Sequence, residues 1–159
     1  MSAYYREVAV ELHLGQRPAR PKRGSTTVVV PFTSLSLLTS QALSQALSRG
    51  DQVVAVTVVF AEEKGRQAEL EAAWKKWDPG VPLVVVTFQY RSVGRPLLRY
   101  IGSLKPSASH RMVVLIPVVL PRRFWHRLLH NHLDLVLSAA LQRRPHVVVA
   151  RLPLALRRE

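Results

Sequence analysis

Five valine-rich runs recur along this chain, and they limit its fold more than any other feature. They are TTVVVP at 26–31, QVVAVTVVF at 52–60, VPLVVVTF at 81–88, RMVVLIPVV at 111–119 and HVVVARLP at 146–153. A continuous β-branched run, rather than an alternating one, is what a strand buried on both faces requires. Between the runs the pattern changes to helical spacing. In 34–50, Leu35, Leu38, Ala42 and Ala46 share a face and Gly50 stops the helix. The 62–77 segment is acidic at its start and basic at its end, as a helix dipole favours. RPLLRYIGSL at 95–104 sits inside a third helix, with Pro96 tolerable only in the first turn. The 122–144 segment is the fourth and longest, with Trp125, Leu128, Leu129, Leu133 and Val136 as its core face. Strands alternating with helices predict an α/β domain: a five-stranded parallel sheet with helices on both faces. Such sheets bind ligands outside the strand C-termini, at the topological switch point.

Residues 1–14 read as a short amphipathic helix, with Tyr5, Val8 and Leu12 able to share a face. The following GQRPARPKRG at 15–24 reads as a linker with four basic residues and little to bury. The ordered domain is expected from Ser25 to the end, and 159 residues suffice for one domain with a real core. With no cysteine there is no disulfide framework and no thiol chemistry. No apolar run approaches the roughly 18 residues that span a bilayer, and MSAYYREVAVELHLG has no signal-peptide core. The expectation is a soluble, cytoplasmic polypeptide.

The charge is strongly one-sided. Net charge is +13, and 18 of the 23 basic residues are arginine, the side chain suited to bidentate phosphate contacts. Between Asp78 and Asp134 there is no carboxylate, while eight Lys/Arg fall in that span. This balance fits nucleic acid, an anionic membrane surface or a phosphorylated small molecule. A nucleic-acid reader is the weaker reading, because the basic residues are interrupted by Leu, Val and Pro and no reading helix or aromatic platform is evident.

Three segments carry candidate chemistry. The first is Pro31-Phe32-Thr33-Ser34, the turn after the first strand. Thr33 or Ser34 can cap the next helix, and its free N–H groups can hold an anion; an ordinary N-cap has the same sequence. The second is QYRSVGRPLLRY at 89–100, which offers Tyr90 to stack on a base and Arg91, Ser92 and Arg95 around a phosphate. Arg91, Arg95 and Arg99 recur at four-residue spacing, one face if helical throughout. Cations at a helix N-terminus oppose the dipole, which points to an anion beside them, although a solvated basic face is the plainer reading. The third is 116–134, holding Pro117, Val118, His130 and Asn131. His126 and His130 have a metal-compatible spacing, but with no cysteine and only Asp134 nearby no metal site is expected. No acid, base or nucleophile constellation stands where the ligand should bind, so binding without catalysis is expected.

The order of elements and motifs resembles the universal stress protein fold, which implies strand order 3-2-1-4-5. ATP-binding members of that family carry Gly, two residues, Gly, nine residues, then Gly-Ser or Gly-Thr after the fourth strand. Here Pro117, Leu120 and His130-Asn131 stand in those places, so all three glycines are replaced. Glycines allow backbone to approach phosphates closely, and the substitutions disfavour a triphosphate cradle.

A closer resemblance covers nearly the whole chain. VVVPFTSLSLLTSQALSQALSRGDQVVAVTV (28–58), WDPGVPLVVV (77–86), YRSVGRPLLRYI (90–101) and PRRFWHRLLHN (121–131) are similar to the C-terminal cytosolic domain of actinobacterial APC-superfamily permeases, kin to potassium importers. YYREVAVELHL resembles the stretch after the last membrane helix of such permeases. The resemblance implies that residues 1–24 link to a membrane portion and that 25–159 form a nucleotide-binding domain. It further implies a regulatory homodimer on the cytoplasmic face of the membrane that binds cyclic di-AMP and inhibits transport. Arg91 and Arg95 would serve the phosphates, with Phe32, Tyr90 and apolar strand ends near the adenines. The alternatives are a stress-type ATP or AMP binder and a dimerisation module without ligand whose basic face meets anionic lipid.

Overall fold

The computed structural model describes residues 3–12, 14–17, 19–21, 23–89, 94–120 and 144–155. Helix α1 (Ala3–Glu11) is followed by β1 (Ser25–Pro31), α2 (Leu37–Leu47), β2 (Gln52–Phe60), α3 (Arg66–Trp77), β3 (Leu83–Phe88), α4 (Gly94–Ser103), β4 (His110–Leu120) and β5 (Val147–Ala155). All four strand pairings are parallel and the order is β3-β2-β1-β4-β5, as expected. The expected helix at 122–144 lies, except for its last residue, outside the described residues.

Burial explains why the central runs are continuous rather than alternating. In β1, Val28 and Val30 face one core with Ala42, Leu43 and Ala46 of α2 and Trp74 of α3. Val29 faces the other core, with Leu97 and Ile101 of α4 and Met112 and Val114 of β4. A strand enclosed by helices on both faces must be apolar at every position.

Helix starts differ from expectation, each for a local reason. The first strand-to-helix turn was expected to be capped by Thr33 or Ser34; instead Ser36 is the N-cap of α2, in extended backbone and without a side-chain cap bond. Thr39 is responsible. Its buried hydroxyl Oγ1 donates to the Ser34 carbonyl at 2.8 Å, which holds 33–36 as an extended turn below the first helical residue. The next helix was expected from 62 and begins at Arg66. Its N-cap, Gly65, has φ +81°, a left-handed conformation that breaks the helical path and suits glycine. Glu63 is therefore not a helical residue, and its carboxylate accepts the Phe60 amide at 3.0 Å, closing the end of β2.

At the start of β4, His110 ties two strands. Ser25 Oγ lies 2.6 Å from its Nδ1 and Thr27 Oγ1 3.0 Å from its Nε2. That histidine, part of the acid-free span, is a hydrogen-bonded strand link. The segment before the sheet is open: Val10, Leu12 and Leu14 are 76%, 64% and 66% exposed. Among the described residues no helix is long and apolar enough to cross a membrane.

Candidate functional site at the switch point

The chain leaves β1 through α2 toward β2 and β3, then returns through α4 to β4 on the far side of β1. Two crossovers diverging from neighbouring strands leave a crevice above their C-terminal ends. The ladders show it. β1 stays paired with β2 up to Pro31↔Val56, but its register with β4 ends at Val29↔Val114. β4 continues with β5 alone to Leu120↔Ala155. Pro117, half-buried and lacking an amide hydrogen, lies in this extension opposite Leu152, with Val118 opposite Pro153.

The 31–36 turn forms one wall of the crevice, and side chains from two helices hold it. Thr39 of α2 grips the Ser34 carbonyl from below. From α3, the Arg66 Nη2 donates to the Thr33 carbonyl at 2.8 Å. Arg66 also lies 3.8 Å, Nε to Oε2, from the Glu63 carboxylate. Thr33 and Ser34 are exposed, and Pro31 is half-buried. Phe32, expected near the adenines, turns its ring into the core. Its ring is only 9% exposed and stacks on Trp74, centroids 5.5 Å apart and planes 22° apart. The physical reason is the period of the strand: continuing Val28 and Val30, residue 32 falls on the same inward face. At this position the turn presents backbone, and the ring belongs to the core.

Arg95 is exposed in the first turn of α4. Leu97, two residues on, is fully buried against Val29, Val114 and Ile116, which seats this first turn over the C-terminal half of the sheet. Arg99, one turn later, is also exposed. Burial pushes the Tyr100 phenol above its usual range. Tyr90, Arg91, Ser92, His130 and Asn131 lie outside the described residues. Of the expected residues, then, the sheet brings the 31–34 turn and Pro117-Val118 to adjacent strand ends, with Arg95 at the same pole.

Arg66 is the residue that reading the sequence missed. Its signal was available: a cation at the first position of a helix, against the dipole, which is the argument applied to Arg95. Arg66→Ala removes the grip on Thr33 and should lower stability by about 0.5–1.5 kcal/mol, read by urea unfolding. No change would mean that Thr39 and the Phe32 stack suffice to hold the turn.

The described cations of the acid-free span divide between the two poles of the sheet. Arg95 lies at the C-terminal pole of the strands, whereas Lys105 follows α4 and Arg111 begins β4, at the opposite pole. Also at that opposite pole is a depression of about 490 Å³ beside Trp74, Asp78 and Pro82. It is the wrong end for a switch-point ligand. Among the described residues no three His, Cys, Asp or Glu side chains are grouped to hold a metal.

Residues 23–154 match the family model described as the KimA potassium transporter C-terminal domain. Over 153 residues the chain is 28% identical to the potassium transporter KimA of Bacillus subtilis (strain 168). That match covers 94% of this chain and 25% of the relative, so the chain spans about a quarter of the length of the transporter it matches. Among solved structures, pantothenate synthetase from Thermus thermophilus aligns over 95% of this chain and 61% of that chain, at 13% identity and a TM-score of 0.48.

Proposed function

This chain belongs to the KimA potassium transporter C-terminal domain family, and from that premise we propose that it is a regulatory domain of a potassium transporter whose ligand is cyclic di-AMP. The observation that carries the reading is the open β1–β4 switch point with Arg66 and Arg95 at its pole. Two phosphates need cations without carboxylate competition; Arg95 comes from the acid-free 79–133 span, whereas Arg66 stands beside Glu63 and shapes the turn through the Thr33 carbonyl. Arg91 and Arg95 take a phosphate, the 31–34 turn contributes exposed backbone, and the adenines lie against Tyr90 and the apolar ends of β1 and β4. The domain binds without catalysing a reaction.

The finer reading is that of a universal stress-like scaffold, from an actinobacterial permease, acting as a homodimer at the cytoplasmic face of the membrane. The strand order supports the scaffold. Loss of glycine at Pro117, Leu120 and His130-Asn131 favours a ligand without a triphosphate tail. Residues 1–24 act as the connection to the membrane portion, and their uncovered Val10, Leu12 and Leu14 fit a segment that packs against something further.

Calorimetric titration with cyclic di-AMP, ATP and AMP tests the proposal. Saturable heat with cyclic di-AMP and none with ATP is expected. Heat with ATP and none with the dinucleotide would replace it with the stress-type ATP or AMP binder, and silence with all three leaves a dimerisation module.

A further inference from the structure

We propose that the pole opposite the ligand crevice, where the strands begin and the helices end, is a docking face for an anionic lipid surface. The inference rests on the transporter reading above, but not on the dinucleotide.

In a parallel βαβ fold, strand N-termini and helix C-termini share one pole. Here that pole runs across Leu83, Gln52, Ser25, His110 and Val147, the first residues of the five strands. Exposed cations stand along it. Lys75 and Lys76 end α3, Lys105 follows α4, Arg111 is the second residue of β4 and Arg23 precedes β1. None of these five side chains makes a hydrogen bond or ion pair with another described residue. Among the described residues only two carboxylates share the pole. Asp51 is occupied, accepting the Thr26 amide at 2.7 Å, and Asp78 is the C-cap of α3.

Helix dipoles account for part of this. Lysines in the last turn of α3 and just after α4 are favoured by the negative end of a helix. That explanation does not cover Arg23 or Arg111, which head strands, nor the basic linker. Arg17 and Arg20 are exposed in the stretch that leads to this pole. The entry point is fixed: the Ser25 amide donates to the Ser109 carbonyl at 2.9 Å, and a Cβ on Gly24 would come within 2.8 Å of the same oxygen. In a C-terminal domain of a transporter the chain arrives through its N-terminal end. That brings this pole, not the crevice, toward the bilayer. Basic residues held near an anionic leaflet are attracted within a Debye length, and the attraction adds up over the residues. The crevice then faces away from the membrane, open to a soluble ligand.

The test is co-sedimentation with vesicles of phosphatidylcholine containing about one-third phosphatidylglycerol, against phosphatidylcholine alone, in about 0.1 M and about 0.5 M salt. Binding to the anionic vesicles only, falling at least about tenfold with salt, is expected. Lys75→Gln/Lys76→Gln/Lys105→Gln/Arg111→Gln should weaken it by about 100-fold or more. Arg66→Gln/Arg95→Gln, at the other pole, should weaken it much less. Equal binding to neutral vesicles, tighter binding to a mixed-sequence RNA, or a larger loss in the Arg66/Arg95 variant would each overturn the proposal. Circular dichroism of the fourfold variant checks that it is folded. Titrating cyclic di-AMP into the same proteins reads the crevice separately: failure there with vesicle binding intact counts against the ligand alone.

Discussion

Trp74→Ala is expected to cost about 3–5 kcal/mol of stability, the range for truncating a buried large aromatic. Trp74 is 7% exposed and joins three parts of the domain. Its ring stacks on Phe32 at the end of β1 and meets Trp77 edge-on at 5.2 Å. Its indole Nε1 donates to the Val81 carbonyl at 2.8 Å, closing the turn between α3 and β3. Alanine leaves a cavity under α3 and deprives a buried carbonyl of its donor, and the two losses reinforce each other. A domain of this size has about 5–15 kcal/mol in total, so the variant should be marginal. Urea unfolding measures it, and Trp74→Phe separates the terms. Phenylalanine retains much of the packing and loses the indole bond, so about 1–3 kcal/mol is expected. A loss below about 1 kcal/mol for alanine would show that the Phe32 stack and the Val81 bond are not what holds α3 to the sheet.

The consequence reaches the candidate site. Phe32 immediately precedes the 33–36 turn, and its amide bonds to the Val56 carbonyl at 3.0 Å. The aromatic stack, the Thr39 hydroxyl and the Arg66 guanidinium thus hold the same short turn from three directions. This is the sort of support a binding wall needs: small elements whose shape is set by neighbours locked in the core.

Much of this was legible in the residues, and the misses have physical causes. The β-branched runs placed all five strands within about two residues, the usual scatter of boundaries. Strand interiors are easy to read because burial on two faces leaves few alternatives to Val and Ile. Helix starts were harder, because side-chain bonds over three to five residues and a single left-handed glycine decide them. Nothing in TSLS says that Thr39 will hold Ser34 out of the helix. The early acids at 62–63 resembled a helix start, yet Glu63 caps a strand and Gly65 sets the turn. Two features at the site were legible and not used: alternation from Val28 and Val30 already turns the Phe32 ring inward, and the dipole argument used for Arg95 applies equally to Arg66. The basic span carries less information than its length suggests. Charge counted along the chain does not distinguish the two poles of a parallel sheet, and each crossover carries the chain from one to the other. Hence Arg95 and Arg111, neighbours in a carboxylate-free stretch, stand at opposite ends.

Arg95→Ala should lower the affinity for cyclic di-AMP about 10- to 100-fold, the equivalent of one hydrogen bond to a charged group at about 1.5–3 kcal/mol. Folding should barely change. Arg95 is exposed and its side chain makes no bond with another described residue, and a cation in the first turn of α4 opposes the helix dipole. Removing it should therefore leave stability within about 0.5 kcal/mol of the parent, or raise it slightly. This opposition of signs is the useful part. A residue kept for the fold would lower stability when removed; one kept for an anion lowers affinity and does not. Arg95→Lys keeps the charge but loses the planar fork, so an intermediate affinity is expected if the phosphate is held by two N–H groups. Raising salt should weaken the parent more than the alanine variant, since one fewer charge is then screened. Arg91→Ala serves as the companion, and the double variant should lose more than either single. If calorimetry gives unchanged affinity for both single variants, the phosphates do not lie at the β3–α4 turn. Arg66, a described arginine at the same pole, would then be the first place to look for them.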